Sequence, residues 1–456
     1  MMGKIFSKYR NLSVKGWIFA LFLLLLPLLR MDASPGRRVL LDSRTKKAVK
    51  YSAEDKDKRI VMIPRHFRYM PGEFRGVWVT TAWNLDFPSS STVSQFQMQY
   101  RSLLFRLKRY GINTVIFQVR PQCDAFYISR ENPVSAFLCG VEGRGLPGFD
   151  PLNFMVRETR RQGMKFHAWL NPYRVRGNVT EGKAAVLKKL SPASFARRFP
   201  DAVLEVPQEG NKKLLMLDPG HPRTFAHLLD TVREILWKYD VDGIHFDDYF
   251  YPYGGIGTGD LASYRKFCRD KKLTADVWRR NNVDTLIFNV SKLIRTHNRL
   301  HRKKVEFGVS PFGIWMNRKN HPLGSPTKGM ESCSVQFADS RRWVKQNWVD
   351  YIAPQLYWSF SEPKAPFACV VDWWAQTVAG TKVKLYPGLA LNKYAQNKAF
   401  WESPYELKNQ LIYSSALPQV KGYVFFSARH LLYPDNLLLR QNTSAAFALF
   451  RNIAGK

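Results

Sequence analysis

From residue 75 onward the chain alternates between two hydrophobic rhythms. Short β-branched and aromatic runs with the two-residue period of a strand are followed by longer stretches with the three-to-four-residue period of a one-faced helix. The runs fall at 75–80, 114–119, 165–170, 241–247, 305–310, 351–358, 384–390 and 422–427. The intervening helical patterns are well marked. After the first run, Val93, Phe96, Tyr100, Leu103, Leu104 and Leu107 share a face and Gly111 stops the helix. The next helix opens at Asp150-Pro151 and ends at Gly163, and another opens at Pro222 with Phe225, Leu228, Val232 and Ile235 on its stripe. A helical pattern over 404–417 precedes the last run. Eight strands alternating with helices predict an α/β fold, a (β/α)8 TIM barrel over 71–435, with a doubly wound open sheet as the alternative. The first strand–helix turn carries no GxGxxG, so a dinucleotide site is not indicated.

The ends of the chain read differently. Lys4, Lys8, Arg10 and Lys15 precede an apolar run over 17–29, shorter than the roughly 20 residues a helix needs to span a bilayer. Residues 1–34 are therefore expected to be a secretory signal peptide, with 31–34 as the cleavage region, or an uncleaved anchor that would tether the protein to a membrane. No cysteine follows the apolar run, so lipid attachment there is not expected. Residues 35–70 are basic and poor in apolar periodicity, and are expected to form a linker or N-terminal arm. Residues 436–456 are expected to form a C-terminal helix packing on the barrel.

Composition narrows the class. The 456 residues are 45% hydrophobic, enough for one large core. Five cysteines without CxxC spacing argue against a disulfide scaffold or a zinc cluster; Cys123 and Cys139 could pair, but buried free thiols fit better. The formal net charge of +34 favours a polyanionic partner. With an export signal, an anionic cell-envelope polysaccharide is expected rather than nucleic acid. The sequence leaves the oligomeric state open.

The chemistry of a parallel barrel sits at the C-terminal ends of its strands. There the chain offers Gln118 and Arg120 after the second strand, Asn171, Tyr173 and Arg174 after the third, and Asp247, Asp248, Tyr249 and Tyr251 after the fourth. Ser310 ends the fifth, and Gln355, Tyr357 and Trp358 belong to the sixth. Strand alternation puts Gly243, His245 and Asp247 on one face. His167, His245 and Asp247 could together hold a metal, but barrel histidines more often hydrogen-bond a substrate or a core group, and no metal or other cofactor is expected. No GxSxG elbow or phosphate-binding loop is present. Carboxylates, amides and aromatic faces remain, the equipment of glycoside hydrolysis.

The chain also resembles a known family, glycosyl-hydrolase-like family ten. The resemblance is carried by Glu73-Phe74-Arg75-Gly76-Val77-Trp78-Val79-Thr80, Phe117-Gln118-Val119-Arg120-Pro121, His167-Ala168-Trp169-Leu170-Asn171-Pro172-Tyr173-Arg174 and Leu217-Asp218-Pro219-Gly220. It continues through Asp242-Gly243-Ile244-His245-Phe246-Asp247-Asp248-Tyr249-Phe250-Tyr251-Pro252, Pro354-Gln355-Leu356-Tyr357-Trp358 and Phe426-Ser427-Ala428. It implies a TIM barrel exported to the cell envelope that cleaves glycosidic bonds, most like the divisome-localised hydrolases of peptidoglycan glycan strands. Cys123 before Asp124 departs from the small residue usual there.

Gly243-Ile244-His245-Phe246-Asp247 is also similar to the fourth strand of amylase-like barrels, which implies a nucleophile at Asp247. Asp248 is a second candidate, and Asp124, Glu402 and Glu362 are candidates for the acid. Arg120, His167, Asn171, Tyr173, His245, Tyr249, Tyr251, Gln355 and Trp358 are expected to bind substrate. The alternative is an envelope glycan-binding protein that does not cut.

Overall fold

The computed structural model describes residues 36–270, 272–396 and 400–451. The 17–29 run and its signal or anchor reading lie outside them. Among the described residues, nine parallel strands form one sheet: β1 (Phe74–Val79), β2 (Thr114–Arg120), β3 (Lys165–Leu170), β4 (Gly243–Phe246), β5 (Glu306–Val309), β6 (Tyr351–Ile352), β7 (Lys384–Leu385), β8 (Gly388–Ala390) and β9 (Gly422–Phe426). Their order is β7-β6-β5-β4-β3-β2-β1-β9-β8. The two ends of this row are halves of one segment. β7 pairs with β6 through Tyr351↔Lys384, and β8 pairs with β9 through Gly388↔Val424. The sheet thus closes on itself as a TIM barrel.

Two runs expected to be continuous strands are broken, each at a proline that has no N–H to give the ladder. Pro387 separates β7 from β8. Pro354 ends β6 early, and the chain goes on through single bonds, such as Ala353 N–H to the Val309 carbonyl (2.9 Å) and Gly388 N–H to the Pro354 carbonyl (2.9 Å).

The helices begin and end where the sequence marks them. Thr92 caps α1 (Val93–Arg109) by accepting from Gln95 N–H. Asp150 caps α2 (Pro151–Arg161) by accepting from Leu152 and Asn153 N–H. α3 (Pro222–Lys238), α4 (Ala275–His301), α5 (Phe367–Val378) and α6 (Glu406–Ser415) complete the main outer ring. α7 (Leu437–Arg451) lies against α6, with Phe447 tilted 4.8 Å from Phe425 of β9. No described helix is long and apolar enough to cross a membrane. No disulfide joins any of the five cysteines, all of which are among the described residues.

The barrel interior is packed with rings: Phe74, Trp78, Trp169, Tyr351 and Tyr386. Glycines on the neighbouring strands make room for them. A Cβ on Gly308 would lie 1.9 Å from the Tyr351 ring, and one on Gly243 would lie 2.4 Å from His167.

Residues 36–70 differ from the expected linker. Arg37–Val39 and Met62–Pro64 pair antiparallel, and Leu40, Val49, Val61 and Ile63 are buried in the main core. Tyr51 donates to Asp372 (2.8 Å) and Arg38 to Asn409 (3.0 Å), fixing this hairpin on the α5–α6 flank. Its few apolar residues are spaced by the turns of a hairpin rather than by one regular period, which hides them from a periodicity reading. A second antiparallel sheet, formed by Arg174–Val179, Val203–Pro207 and Lys213–Leu217, is inserted between β3 and α3.

Candidate active site

The C-terminal ends of the strands surround a cavity of about 230 Å³. Trp78, Trp169, Tyr249 and Tyr357 supply aromatic walls, and Asp247 and Asp248 supply the acid groups. Asp247 follows β4 directly and is 4% exposed. Its Oδ2 accepts from the Trp169 indole N–H (3.0 Å) and the Asn171 amide (3.0 Å), and its Oδ1 from Tyr249 N–H (3.2 Å). These donors come from β3 and the turn after β4, so the carboxyl is held from two elements. Burial pushes Asp247 up to about 7, Asp248 adds to the rise, and Arg174 opposes it. A carboxyl near 7 can give or take a proton at neutral pH.

Asp248 is also raised, chiefly by burial, while the Tyr253 hydroxyl and the Gln355 amide donate to its carboxylate and favour its charge. The Gln336 amide donates to the Asp248 backbone carbonyl (2.8 Å). Arg174 lines the cavity, 4.2 Å over the Tyr249 ring and 5.5 Å from that of Trp83. Gln118 accepts from Thr81 and Ala82 N–H (3.1 and 3.0 Å), shaping the loop after β1.

Beneath the cavity runs a chain of hydrogen bonds whose direction can be deduced. The Trp78 indole can only donate, and it lies 3.1 Å from His245 Nε2, so Nε2 accepts. A neutral His245 then carries its proton on Nδ1 and donates to the Tyr351 hydroxyl (2.9 Å). Tyr351 in turn donates to His167 Nδ1 (2.9 Å), leaving the His167 proton on Nε2, 3.9 Å from Glu306. Burial lowers both histidines, His167 to about 4, in keeping with neutral rings.

Several predicted site residues therefore lie elsewhere. His167 and His245 are interior groups below the cavity and do not line it. Arg120 is fully buried and spends its donors on Asn171 and Pro172 carbonyls (2.6 and 3.1 Å) and on Asn132 (3.3 Å). The register shift between Gln118 and Arg120 re-aims it from the mouth. Asn171 does not line the cavity but positions Asp247. Tyr173 is buried behind the inserted sheet. Tyr251 is buried and donates to Asp260 (3.3 Å), itself bound to Arg279. Trp358 stands edge-on to Phe312, outside the cavity lining.

Two of the acid candidates are displaced as well. Asp124 is enclosed beneath the loop after β2, accepting from Gln122 N–H (3.0 Å) and near Arg176, and does not line the cavity. Glu402 is exposed in the turn before α6, and Glu362 in the loop after β6 is likewise outside the lining. Of the expected catalytic and substrate-binding residues, the fold brings together Asp247, Asp248, Tyr249 and Gln355, joined by the strand-end residues Gln118, Arg174, Ser310 and Tyr357. Trp78, Trp169 and Tyr253 were not among those expected. Trp169 sits between His167 and Asn171 on the inward rhythm of β3, a signal masked because a strand tryptophan reads as core.

Comparison with known proteins gives the family and the fold. The model of a family described as "Glycosyl hydrolase-like 10" matches residues 73–405. Glycosyl hydrolase YngK of Bacillus subtilis (strain 168) is 38% identical over 365 residues, covering 79% of this chain and 69% of its own length. Glycosyl hydrolase DigH of Escherichia coli (strain K12) is 38% identical over 380 residues, covering 79% and 84%. In fold, the chain is similar to the PgaB (BpsB) glycoside hydrolase domain from Bordetella bronchiseptica, with a TM-score of 0.53, 14% identity, and coverage of 83% of this chain and 99% of that one.

Proposed function

The chain belongs to the glycosyl hydrolase-like 10 family, and on that premise we propose that it is an exported enzyme that hydrolyses glycosidic bonds in peptidoglycan glycan strands. The observation that carries this reading is the pair Asp247 and Asp248, which line one aromatic-walled cavity, with Asp247 titrating near 7. Two carboxyl groups flanking the scissile bond, one protonated and one ionised, are what glycoside hydrolysis requires.

In this reading Asp247 is protonated before reaction and gives its proton to the glycosidic oxygen as the bond from that oxygen to the anomeric carbon breaks. Asp248, whose burial is partly offset by the donors Tyr253 and Gln355, acts in its ionised form and faces the positive charge that develops on the sugar. Water then bonds to the anomeric carbon, its released proton returns to the carboxyl pair, and two free hydroxyls are the products. Trp78, Trp169 and Tyr357 give the ring apolar faces and exclude bulk water.

Three features support an anionic envelope glycan. The net charge is +34, Arg174 lines the cavity, and the N-terminal basic and apolar stretch has the form of an export signal. A glycan-binding scaffold without cleavage would use the same walls; a buried carboxyl poised near neutrality favours cleavage. The test is release of new reducing ends from glycan strands stripped of stem peptides. Release from these strands and not from a neutral glucan supports the reading; no release from either refutes it.

A further inference from the structure

A second groove of about 510 Å³ adjoins the cavity, and Leu85 in the loop after β1 lines both. The groove runs between that loop, the outer face of α1 and the turn after β9, with Met98, Arg429 and Tyr433 on its walls. Its floor is tied in place. Asp86 accepts from Thr80 N–H (2.7 Å) and, through its other oxygen, from the Ser427 hydroxyl (2.6 Å) and Arg429 N–H (2.8 Å). One carboxylate thus locks the loops after the first and last strands of the barrel.

Two aromatic faces border this path without serving the core. Trp83 is 52% exposed at the boundary with the cavity. Its backbone is left-handed (φ 53°), as is that of Asn84 (φ 51°), whose side chain donates to the Phe87 and Phe137 carbonyls (3.1 and 2.7 Å). A non-glycine residue held in this region is uncommon, asparagine adopting it most readily. Tyr433 is 62% exposed, yet its ring is held by the Arg106 guanidinium 4.0 Å above it, and Arg106 is fixed in turn to the Leu432 carbonyl. Arg429 makes no ion pair among the described residues.

We infer that this groove holds the distal sugars of the same glycan chain whose linkage is cut in the cavity, with Tyr433 as a stacking face and Arg429 meeting carboxylates on the sugars. The inference rests on the glycan-cleaving reading. A cavity of about 230 Å³ is smaller than the roughly 300–1,000 Å³ of pockets that engulf a drug-sized ligand, so a polymer must continue outside it. The neighbouring groove that shares its wall, carries the exposed ring of Tyr433 and bears the cation of Arg429 is the route that continuity and charge favour.

The experiment measures binding of peptide-free peptidoglycan glycan fragments of two and of eight sugars to the full chain carrying Asp247→Asn, with and without Tyr433→Ala. Loss of one stacking face is expected to weaken the long fragment by about tenfold and leave the short one unchanged. An unchanged affinity for the long fragment, or an equal loss for both, overturns the subsite. Cleavage of glycan by the unmodified enzyme alongside such a result would leave the hydrolase reading standing while this one falls. Absence of binding by either fragment would sink both. Because Tyr433 is exposed, its removal should leave the melting temperature in place, so a loss limited to the long fragment reports on the groove.

Discussion

The indole N–H of Trp169 points at Oδ2 of Asp247 from the neighbouring strand, 3.0 Å away. This bond favours the charged carboxylate, against the burial that raises it. Trp169→Phe keeps much of the aromatic wall and removes the donor. A hydrogen bond to a charged group is worth about 1.5–3 kcal/mol, and 1.36 kcal/mol is one pH unit. If protonated Asp247 is the acid, activity is lost as pH rises through its pKa, and the variant should lose it about one unit higher. The profile of kcat/KM against pH is the check. A limb that stays in place or moves down would remove Asp247 from the acid role.

The same carboxyl links stability to pH. An unfolded aspartate has a pKa of about 3.9, and folded Asp247 is raised to about 7. Between these values the folded chain binds more protons than the unfolded one, so the contribution of this group is complete below about pH 4 and is lost as pH rises toward 7. Asp247→Asn has no such loss. Between pH 5 and pH 7 its stability relative to the unmodified chain should rise by about 2–3 kcal/mol, measured by denaturant unfolding. A difference that does not change with pH would show that Asp247 is ordinary.

Gly308 leaves no room for a side chain in the barrel interior. It pairs with Tyr351 across β5 and β6, and a Cβ there would lie 1.9 Å from the ring that bonds both His167 and His245. Gly308→Ala should cost about 3 kcal/mol or more, since both strand backbones must part to admit it. Gly254→Ala, with nothing within 4 Å, should change stability by less than about 0.5 kcal/mol. Equal melting temperatures for the two variants would contradict the packing described for the barrel core.

The sequence patterns reached the fold more fully than the site. Eight strand runs were legible because each has a two-residue rhythm set between helical stripes, and the prolines at 354 and 387 broke two of the ladders. The site was legible at Asp247 because a carboxylate ends a buried strand. Alternation gives the face of a residue but not its depth along the barrel axis. His245 and Asp247 share a face, yet His245 lies one layer down, bonded to Trp78 and Tyr351. The register shift beyond Gln118 hid the inward burial of Arg120, and the contact of Arg174 with Tyr249 depends on the inserted sheet that no periodicity announces.

The most direct measurement is turnover of peptide-free peptidoglycan glycan strands by the unmodified chain and by Asp247→Asn, followed as new reducing ends. Each 1.36 kcal/mol of lost transition-state stabilisation is about tenfold in rate, and loss of an essential carboxyl costs several, so the variant should fall by about 10³-fold while remaining folded. A folded variant that cuts at the unmodified rate would contradict the assignment of Asp247, and an unmodified chain that cuts no glycan would contradict the account as a whole.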